Sequence, residues 1–210
     1  MVRGHHHLER EFRRAGASRC RGVDRPRCRP RRSSGLVQRQ PSSALETLYA
    51  CAQLGAIWVP VNARLTAPEA AYILEHSGAR VVVHGREVEA VADALHRLVP
   101  TVHEWVIAEP AAAAASTALP YEQLLVSAEP DPRDEPVALE DPCLIMYTSG
   151  TTGKPKGAVL THGNMTWNAV NQSLGMDFTA DERTLALAPL FHIGGSTARS
   201  IRPCCAAAVP

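Results

Sequence analysis

The chain has 210 residues, of which 45% are hydrophobic and 20% charged, and its formal net charge is +1. A chain of that length buries a hydrophobic core in one or two domains, and its net charge argues neither for nor against binding to nucleic acid. Its longest apolar runs fall short of the ~18 residues that a membrane span needs, and the N-terminus lacks the apolar core of a secretory signal, so we expect a cytoplasmic protein.

Residues 1–41 carry an uneven charge pattern. Of the 22 basic residues, 12 lie within residues 1–40, all of them arginine, and only three acidic residues accompany them. Hydrophobic periodicity is absent from this stretch, so we expect a disordered arm. An arm of this kind could bind nucleic acid or another anionic surface, or it could have no function.

From residue 42 onward, helical and strand patterns alternate. Apolar residues at helical spacing begin with Leu45, and a capping box with Thr66 as N-cap and Glu69 three residues later opens the second helix, which Gly78 ends. The patterns predict helices over 45–52, 67–76 and 88–98, alternating with strands over 56–61, 79–85 and 102–108. This rhythm predicts an α/β fold with a mostly parallel sheet covered by helices.

The next part of the chain is richer in loops. We expect loops over 109–120 and 129–142, the second with four prolines, and a short helix over 121–128 between them. An apolar strand over 143–148, "CLIMYT", follows. It leads into "TSGTTGKPKG", and a second strand over 157–162 and a helix from about Asn164 come after that loop.

The loop "TSGTTGKPKG" has the composition of a polyphosphate cradle. Its glycines let backbone N–H groups turn toward a ligand, its four hydroxyl groups can donate to anionic oxygens, and the chain's only two lysines, Lys154 and Lys156, supply positive charge. The loop is not a Walker P-loop, because Pro155 follows Lys154 where Ser or Thr is required and a strand follows the loop. The phosphates would therefore be held by the loop itself, with less help from a helix dipole.

The segment "LIMYTSGTTGKPKGAVLTHGN" resembles the phosphate-loop signature of the adenylate-forming enzymes, which include acyl-CoA synthetases, luciferases and the adenylation domains of peptide synthetases. "LAPLFHIGG" (187–195) and "GAIWVPVNARLTAPEAAYILEHSGARVVV" (55–83) resemble two further segments of that family. The resemblance covers about residues 42–197. It implies an incomplete N-terminal domain of such an enzyme, and "PLFH" and "HGNMTWNAVN" favour the fatty-acid and related acyl-CoA ligases.

The resemblance also implies a reaction and a set of site residues. In the reaction, a small-molecule carboxylic acid, here a fatty acid, attacks the α-phosphate of ATP to give acyl-adenylate and pyrophosphate, and coenzyme A then displaces AMP. Lys154 and His192 take the catalytic roles, His192 beside the acyl carboxylate, and Thr148 is the candidate contact of a Mg²⁺ ion. The residues implied at the ATP phosphates are Thr148, Ser149, Gly150, Thr151, Thr152, Gly153 and Lys154. Lys156, in contrast, is as readily explained as a solvated cation.

Several parts of the family pattern have no counterpart in this chain. Nothing resembles the adenine-binding segment, the acidic magnesium ligand, the ribose-binding aspartate or the mobile C-terminal domain with the adenylation lysine. We therefore expect a fragment of an acyl-CoA ligase that is inactive alone. Acyl-chain specificity and oligomeric state are not predicted.

Both ends of the chain are consistent with shifted reading frames. Residues 198–210 contain "IRPCCAAA", and GC-rich codons for it, moved by two bases, can spell Pro-Ala-Leu-Leu-Arg-Gly-Gly, which the family pattern expects there. The arginine-rich residues 1–41 have a similar character. We expect these segments to be products of a frameshift, and the coding DNA in all three frames tests this.

A different class of function stays open on the sequence alone. The chain could be a truncated, non-catalytic protein that binds a nucleotide or a partner and uses the basic arm to contact an anionic surface. Salt-sensitive binding of nucleic acid that is lost when residues 1–40 are deleted would favour this hypothesis.

Overall fold

The computed structural model describes residues 33–38, 42–108, 118–127, 136–149, 153–176, 189 and 191–192. Seven strands form one sheet in the order β5-β4-β3-β1-β2-β6-β7. They are β1 (Ser33–Gln38), β2 (Ile57–Asn62), β3 (Ala79–His84), β4 (Glu104–Ile107), β5 (Leu119–Pro120), β6 (Pro142–Thr148) and β7 (Lys156–Thr161). Neighbouring strands are parallel except β6 and β7, which are antiparallel, so the predicted mostly parallel sheet is confirmed.

Five α-helices accompany the sheet in the described residues. They are α1 (Ser42–Gln53), α2 (Ala67–Ser77), α3 (Glu89–Leu98), α4 (Tyr121–Ser127) and α5 (His162–Gly175), and a short 3-10 turn, Arg86–Val88, precedes α3. Each predicted helix is present within a few residues of its expected bounds. The described helices include none that is both long and apolar enough to cross a membrane.

The expectation of a disordered arm up to residue 41 is wrong for residues 33–38. These residues form β1, which lies in the middle of the sheet and pairs in parallel with β2 on one side and with β3 on the other. The backbone of six residues can satisfy its hydrogen bonds on both sides in this position. The segment "SSGLVQ" is too short and too polar to show a hydrophobic pattern of its own. Residues 1–32 and 193–210 lie outside the described residues.

The helices cover both faces of the sheet and enclose two hydrophobic cores. On one face, α1, α4 and α5 pack against Trp58, Val81, Val83, Leu144 and Met146. On the other face, α2 and α3 pack against Ile57, Val59, Val61, Val82 and Trp105. Side chains along β2 and β3 alternate between the two cores, which is why these strands are almost continuously apolar.

Helix α2 begins and ends as its sequence predicts. The carboxylate of Glu69 accepts hydrogen bonds from the backbone N–H of Thr66 at 2.8 Å and from its hydroxyl at 2.7 Å. Those bonds lower the pKa of Glu69, the hydroxyl contributing more than the backbone. Gly78 ends the helix in the left-handed region, with φ of 67°. The helix therefore has defined ends, and its inner face, with Leu74 fully buried, rests on the sheet beside β6.

Candidate functional site

The candidate site is the hairpin formed by β6, β7 and the loop between them. The antiparallel pairing reaches Thr148 opposite Lys156, so the loop connects two strands, as predicted. Among the predicted phosphate ligands, Thr148, Ser149, Gly153 and Lys154 are exposed at this end of the hairpin. The other three, Gly150, Thr151 and Thr152, lie outside the described residues.

Gly153 has a backbone conformation that favours glycine. Its φ is +87°, which lies in the left-handed region. A Cβ atom added there would have no atom within 4 Å. The glycine is therefore required for the path of the backbone and not for space. With no side chain above it, the peptide at this position is open to an approaching ligand.

The two lysines flank the hairpin on opposite faces. Side chains alternate along a strand, and Tyr147 packs on the core beneath α2, so the neighbouring Thr148 points to the other face. Lys156 is the cross-strand partner of Thr148 and shares that face. Lys154 lies on the α2 face, where its Nζ is 5.8 Å from the centroid of the Tyr72 ring. Both cations therefore border the loop, although the sequence alone gave Lys156 no clear role.

Gly157 makes room for the ring of Tyr147. The two residues are directly opposite each other in the antiparallel pair. A Cβ atom on Gly157 would lie 2.9 Å from Cγ2 of Ile145 and 3.2 Å from Cζ of Tyr147. Real Cβ contacts are longer than this, so the missing side chain is what allows the aromatic ring to lie across β7.

On its other side, the hydroxyl of Tyr147 contacts helix α2. Its oxygen is 2.8 Å from Nδ1 of His76, and the two rings meet edge to face with centroids 5.8 Å apart. Burial raises the pKa of Tyr147 to about 12, the nearby Tyr72 adds to the rise, and a hydrogen bond with Ser77 opposes it. Tyr147 is therefore protonated at neutral pH, and the tautomer of His76 decides which of the two groups donates in this hydrogen bond.

Tyr72 joins this contact to Lys154. Tyr72 and His76 are four residues apart on α2, and their rings are stacked with centroids 5.5 Å apart. Lys154 lies over the Tyr72 ring within cation–π distance. A chain of contacts thus runs from Lys154 through Tyr72 and His76 to Tyr147. The sequence reasoning missed this chain, although the i, i+4 spacing of Tyr72 and His76 could have shown that they share one face of the helix.

The far end of β7 is fixed by a helix cap. Thr161 is the N-cap of α5; its hydroxyl accepts from the backbone N–H of Asn164 at 3.1 Å, and the Asn164 side chain accepts from the backbone N–H of Thr161 at 3.0 Å. The backbone N–H of His162 donates to the carbonyl of Asp141 at 3.0 Å, which joins the start of α5 to the start of β6. Burial lowers the pKa of His162, and the charge of Asp141 opposes this. Trp167 on the same helix is 59% exposed.

His192 lies in a turn that is separate in sequence from the hairpin. Its backbone N–H donates to the carbonyl of Pro189 at 3.0 Å, and its ring lies against Phe191 with centroids 4.8 Å apart. The side chain is exposed. The expected place of this imidazole beside an acyl carboxylate stays a prediction.

Comparison with known proteins identifies the family. The model of the AMP-binding enzymes matches residues 36–206, a wider range than the 42–197 expected from the sequence. A feruloyl-CoA synthase from Amycolatopsis is 47% identical over 148 residues, which are 70% of this chain and 27% of that protein. An indoleacetate–CoA ligase from Aromatoleum aromaticum is 42% identical over 156 residues, and FadD13 of Mycobacterium tuberculosis, a long-chain-fatty-acid–CoA ligase, is 38% identical over 152 residues.

Solved structures agree with this assignment. An anthranilate–CoA ligase, AuaEII, in complex with anthranoyl-AMP superposes with a TM-score of 0.79 at 25% identity over 96% of this chain and 36% of that one. The N-terminal domain of FACL13 from M. tuberculosis gives 0.66 at 32% identity over 82% of this chain and 42% of that one. The chain spans less than a third of the length of the three curated relatives named above: it covers 27% of the feruloyl-CoA synthase, 29% of the indoleacetate ligase and 28% of FadD13. It belongs to the AMP-binding, or adenylate-forming, enzyme family and is related to the acyl-CoA ligases.

Proposed function

We propose that the β6–β7 hairpin loop holds the phosphates of ATP in the adenylate-forming step of an acyl-CoA ligase. The observation that carries this proposal is the arrangement at the mouth of the hairpin. Thr148 stands opposite Lys156 on one face, and Lys154 lies on the other face beside Gly153, whose backbone is in the left-handed region. Hydroxyl groups, an open backbone and two cations around one loop match the oxygen-rich surface of a triphosphate.

The proposed reaction transfers an adenylyl group. A carboxylate oxygen attacks the α-phosphorus of ATP, the bond to the bridging oxygen of the β-phosphate breaks, and pyrophosphate leaves with the bonding electrons. Negative charge therefore grows on the pyrophosphate oxygens, where Lys154, the Thr148 and Ser149 hydroxyls and the Gly153 backbone would stabilise it. We also assign Lys156 to this group of donors, from its place opposite Thr148.

A magnesium ion fits the donors of this site, since Mg²⁺ prefers oxygen ligands and the Thr148 hydroxyl is one. When bound, the ion would neutralise charge on the phosphates. Within the described ranges, no three His, Cys, Asp or Glu side chains gather into a group that could hold a metal. We keep Thr148 as the proposed contact of the ion.

We propose a small-molecule carboxylic acid as the acyl substrate, placed by His192, with coenzyme A as the second acceptor. The chain shares more identity with the feruloyl-CoA and indoleacetate ligases than with FadD13. An aromatic acid is therefore a candidate of equal standing with the fatty acid that the sequence motifs favour. We further propose a cytoplasmic location for the reaction.

We also propose that this chain does not complete the reaction by itself. It matches 27% of the feruloyl-CoA synthase and 29% of the indoleacetate ligase. None of its segments resembles the family's adenine-binding and ribose-binding parts. A loop that holds only the phosphates supplies part of the contacts to ATP, so we expect weak binding of ATP and of pyrophosphate and no turnover.

Calorimetric titration and a pyrophosphate-release assay test both statements. The 210-residue chain is titrated with Mg-pyrophosphate and Mg-ATP, and then incubated with ATP, Mg²⁺, coenzyme A and a panel of fatty and aromatic acids that includes ferulate. We expect binding that Lys154→Ala and Lys156→Ala each weaken about 5- to 10-fold, as the loss of a charge-assisted contact predicts. Arg97→Ala is the matched control, because Arg97 is an exposed cation on α3 away from the hairpin.

Two results would contradict the proposal. Binding of Mg-pyrophosphate that neither lysine variant changes would remove the loop as the phosphate site. Pyrophosphate release that requires a carboxylic acid and is abolished by Lys154→Ala would disprove the claim that the chain is inactive alone.

A further inference from the structure

We propose that Tyr72 and His76 of α2 are positioning residues for the phosphate-holding loop. His76 would hold Tyr147 at the base of the loop, and Tyr72 would hold the Lys154 ammonium group within it. The expected effect on ligand binding rests on the proposed function of the loop. The contacts of Tyr72 and His76 with the hairpin do not, since they exist without a ligand.

The first half of the inference is the attachment of the hairpin to α2. Tyr147 is the last residue of β6 that still packs on the core, and Gly157 on β7 is shaped to receive its ring. The ring is therefore enclosed by β7 on one side and by α2 on the other. The hydrogen bond between its hydroxyl and Nδ1 of His76, at 2.8 Å, joins residues 71 positions apart in sequence. Rotation of β6 relative to α2 would break this bond and move the neighbouring Thr148 and Ser149.

The second half concerns the cation. A lysine ammonium group on an exposed loop samples many rotamers, and ordering it on binding costs entropy. The Tyr72 ring lies 5.8 Å from Nζ of Lys154 and offers an aromatic face that attracts the cation. The stacked His76 ring in turn limits how Tyr72 can turn. The lysine is thus restricted to the α2 side of the loop before any phosphate arrives.

Helix α2 is rigid enough to serve as this support. Both of its ends are capped, and Ala70, Ile73 and Leu74 on its inner face are buried against the sheet. Tyr72 and His76 sit between these core positions and the hairpin. Gly153 contributes no side chain that could fix the end of the hairpin, so support from α2 decides how well Tyr147 and Lys154 are held.

Single and paired variants of the 210-residue chain, with Mg-pyrophosphate as the calorimetric probe, test the inference. His76→Phe and Tyr147→Phe keep the rings and remove the hydrogen bond, and we expect each to raise the Kd about 3- to 10-fold. Both variants remove the bond between His76 and Tyr147, and Tyr147→Phe also removes the hydrogen bond with Ser77, so the double variant should bind no more weakly than Tyr147→Phe alone. The matched control is His96→Phe, which makes the same change at an exposed histidine of α3 that contacts Trp105.

The contact between Lys154 and the Tyr72 ring is tested by two substitutions at position 72, only one of which keeps an aromatic ring. Tyr72→Leu should raise the Kd about 2- to 5-fold, whereas Tyr72→Phe, which keeps an aromatic face, should bind as the unaltered chain does. In a Lys154→Ala background, Tyr72→Leu should have no further effect. Tighter binding by Tyr72→Leu, or an equal loss in both backgrounds, would overturn this half.

Hydrogen exchange separates this inference from the proposed function. In the ligand-free chain, we expect His76→Phe and Tyr147→Phe to speed amide exchange in the peptide that covers residues 147–157, and His96→Phe to leave it unchanged. If the unaltered chain binds no pyrophosphate, the proposed function fails and exchange alone decides the positioning role. Unchanged exchange in this peptide in both variants would refute the positioning role whatever the binding data show.

Discussion

Two glycines of the candidate site should respond in opposite ways to the same pair of substitutions. Gly153 has φ of +87° and open space around it, whereas Gly157 lies outside the left-handed region and a Cβ there would meet Ile145 at 2.9 Å and Tyr147 at 3.2 Å. Backbone strain therefore governs the first position and crowding governs the second. Alanine and asparagine distinguish the two causes, because asparagine tolerates the left-handed region better than alanine but is the larger side chain.

The expected magnitudes follow from these distances and angles. At Gly153, alanine meets a left-handed penalty of about 1–2 kcal/mol, partly offset by the lower entropy of the unfolded chain, and asparagine should recover about half of the loss. At Gly157, carbon atoms pack best about 3.5–4.0 Å apart, so a new methyl group must displace its neighbours by several tenths of an ångström. Overpacking of this kind costs about 1–3 kcal/mol, and the added amide of asparagine raises the cost further.

Urea unfolding of the four variants, followed by tryptophan fluorescence, measures these changes as free energies of unfolding. We expect Asn to be more stable than Ala at position 153 and less stable than Ala at position 157, with unchanged m-values. The two buried reporters, Trp58 and Trp105, lie in the two different cores. The same order of Ala and Asn at both positions would show that the two glycines are not required for different reasons.

Three further predictions concern the cores. Tyr121→Phe removes a hydrogen bond of 2.6 Å from a buried hydroxyl on α4 to the Glu46 carboxylate on α1, and should lower the free energy of unfolding by about 1–2 kcal/mol in urea titrations; no change would mean that water replaces the bond fully. Burial, with the hydrogen bond and charge of Glu46, raises the pKa of Tyr121 above its value in the unfolded chain, so its stabilising contribution is lost as pH rises. Above about pH 10, this residue should lower the free energy of unfolding by about 1.4 kcal/mol per pH unit. Tyr121→Phe should reduce that slope. Leu74→Ala empties a fully buried position on α2 and should cost about 2–5 kcal/mol by thermal or urea unfolding, whereas Leu98→Ala on α3, where the leucine is 47% exposed, should cost far less.

Most of the regular elements could be predicted because each carries a local signal. The strands β2, β3 and β6 are apolar runs, α2 has a capping box and a terminal glycine, and the loop "TSGTTGKPKG" stands between two runs of strand character. The prediction that the loop connects two strands followed from the run of strand character after it, and the antiparallel pairing of those strands came from the structure. These features depend on residues close together in the sequence, and pattern reasoning is strongest there.

The three features that were missed depend on contacts between distant residues. Strand β5 (Leu119–Pro120) lies within the loop expected over 109–120 and is defined by its parallel pairing with β4. Strand β1 is held by its neighbours β2 and β3, and the six residues "SSGLVQ" beside an arginine-rich stretch give no pattern that would reveal this. The support of the hairpin by α2 joins His76 to Tyr147 across 71 positions. Without an alignment of related sequences, a single chain shows no signal for such a pairing beyond the shared helix face of Tyr72 and His76.

The central place of β1 has a consequence for how the chain can be shortened. This strand is the seam between two half-sheets, β5-β4-β3 on one side and β2-β6-β7 on the other. Deletion of residues 1–32 leaves β1 intact. Deletion of residues 1–38 removes β1 and, with it, the pairing that joins the two halves of the sheet. The hairpin lies in the half that contains β2, and α2 connects β2 to β3. Without β1, the hairpin and α2 would no longer be held by one continuous sheet. During synthesis, β1 emerges before β2 and β3 and has neighbours on both sides as soon as β3 has emerged, whereas β2 must wait for β6, about sixty residues later in the chain.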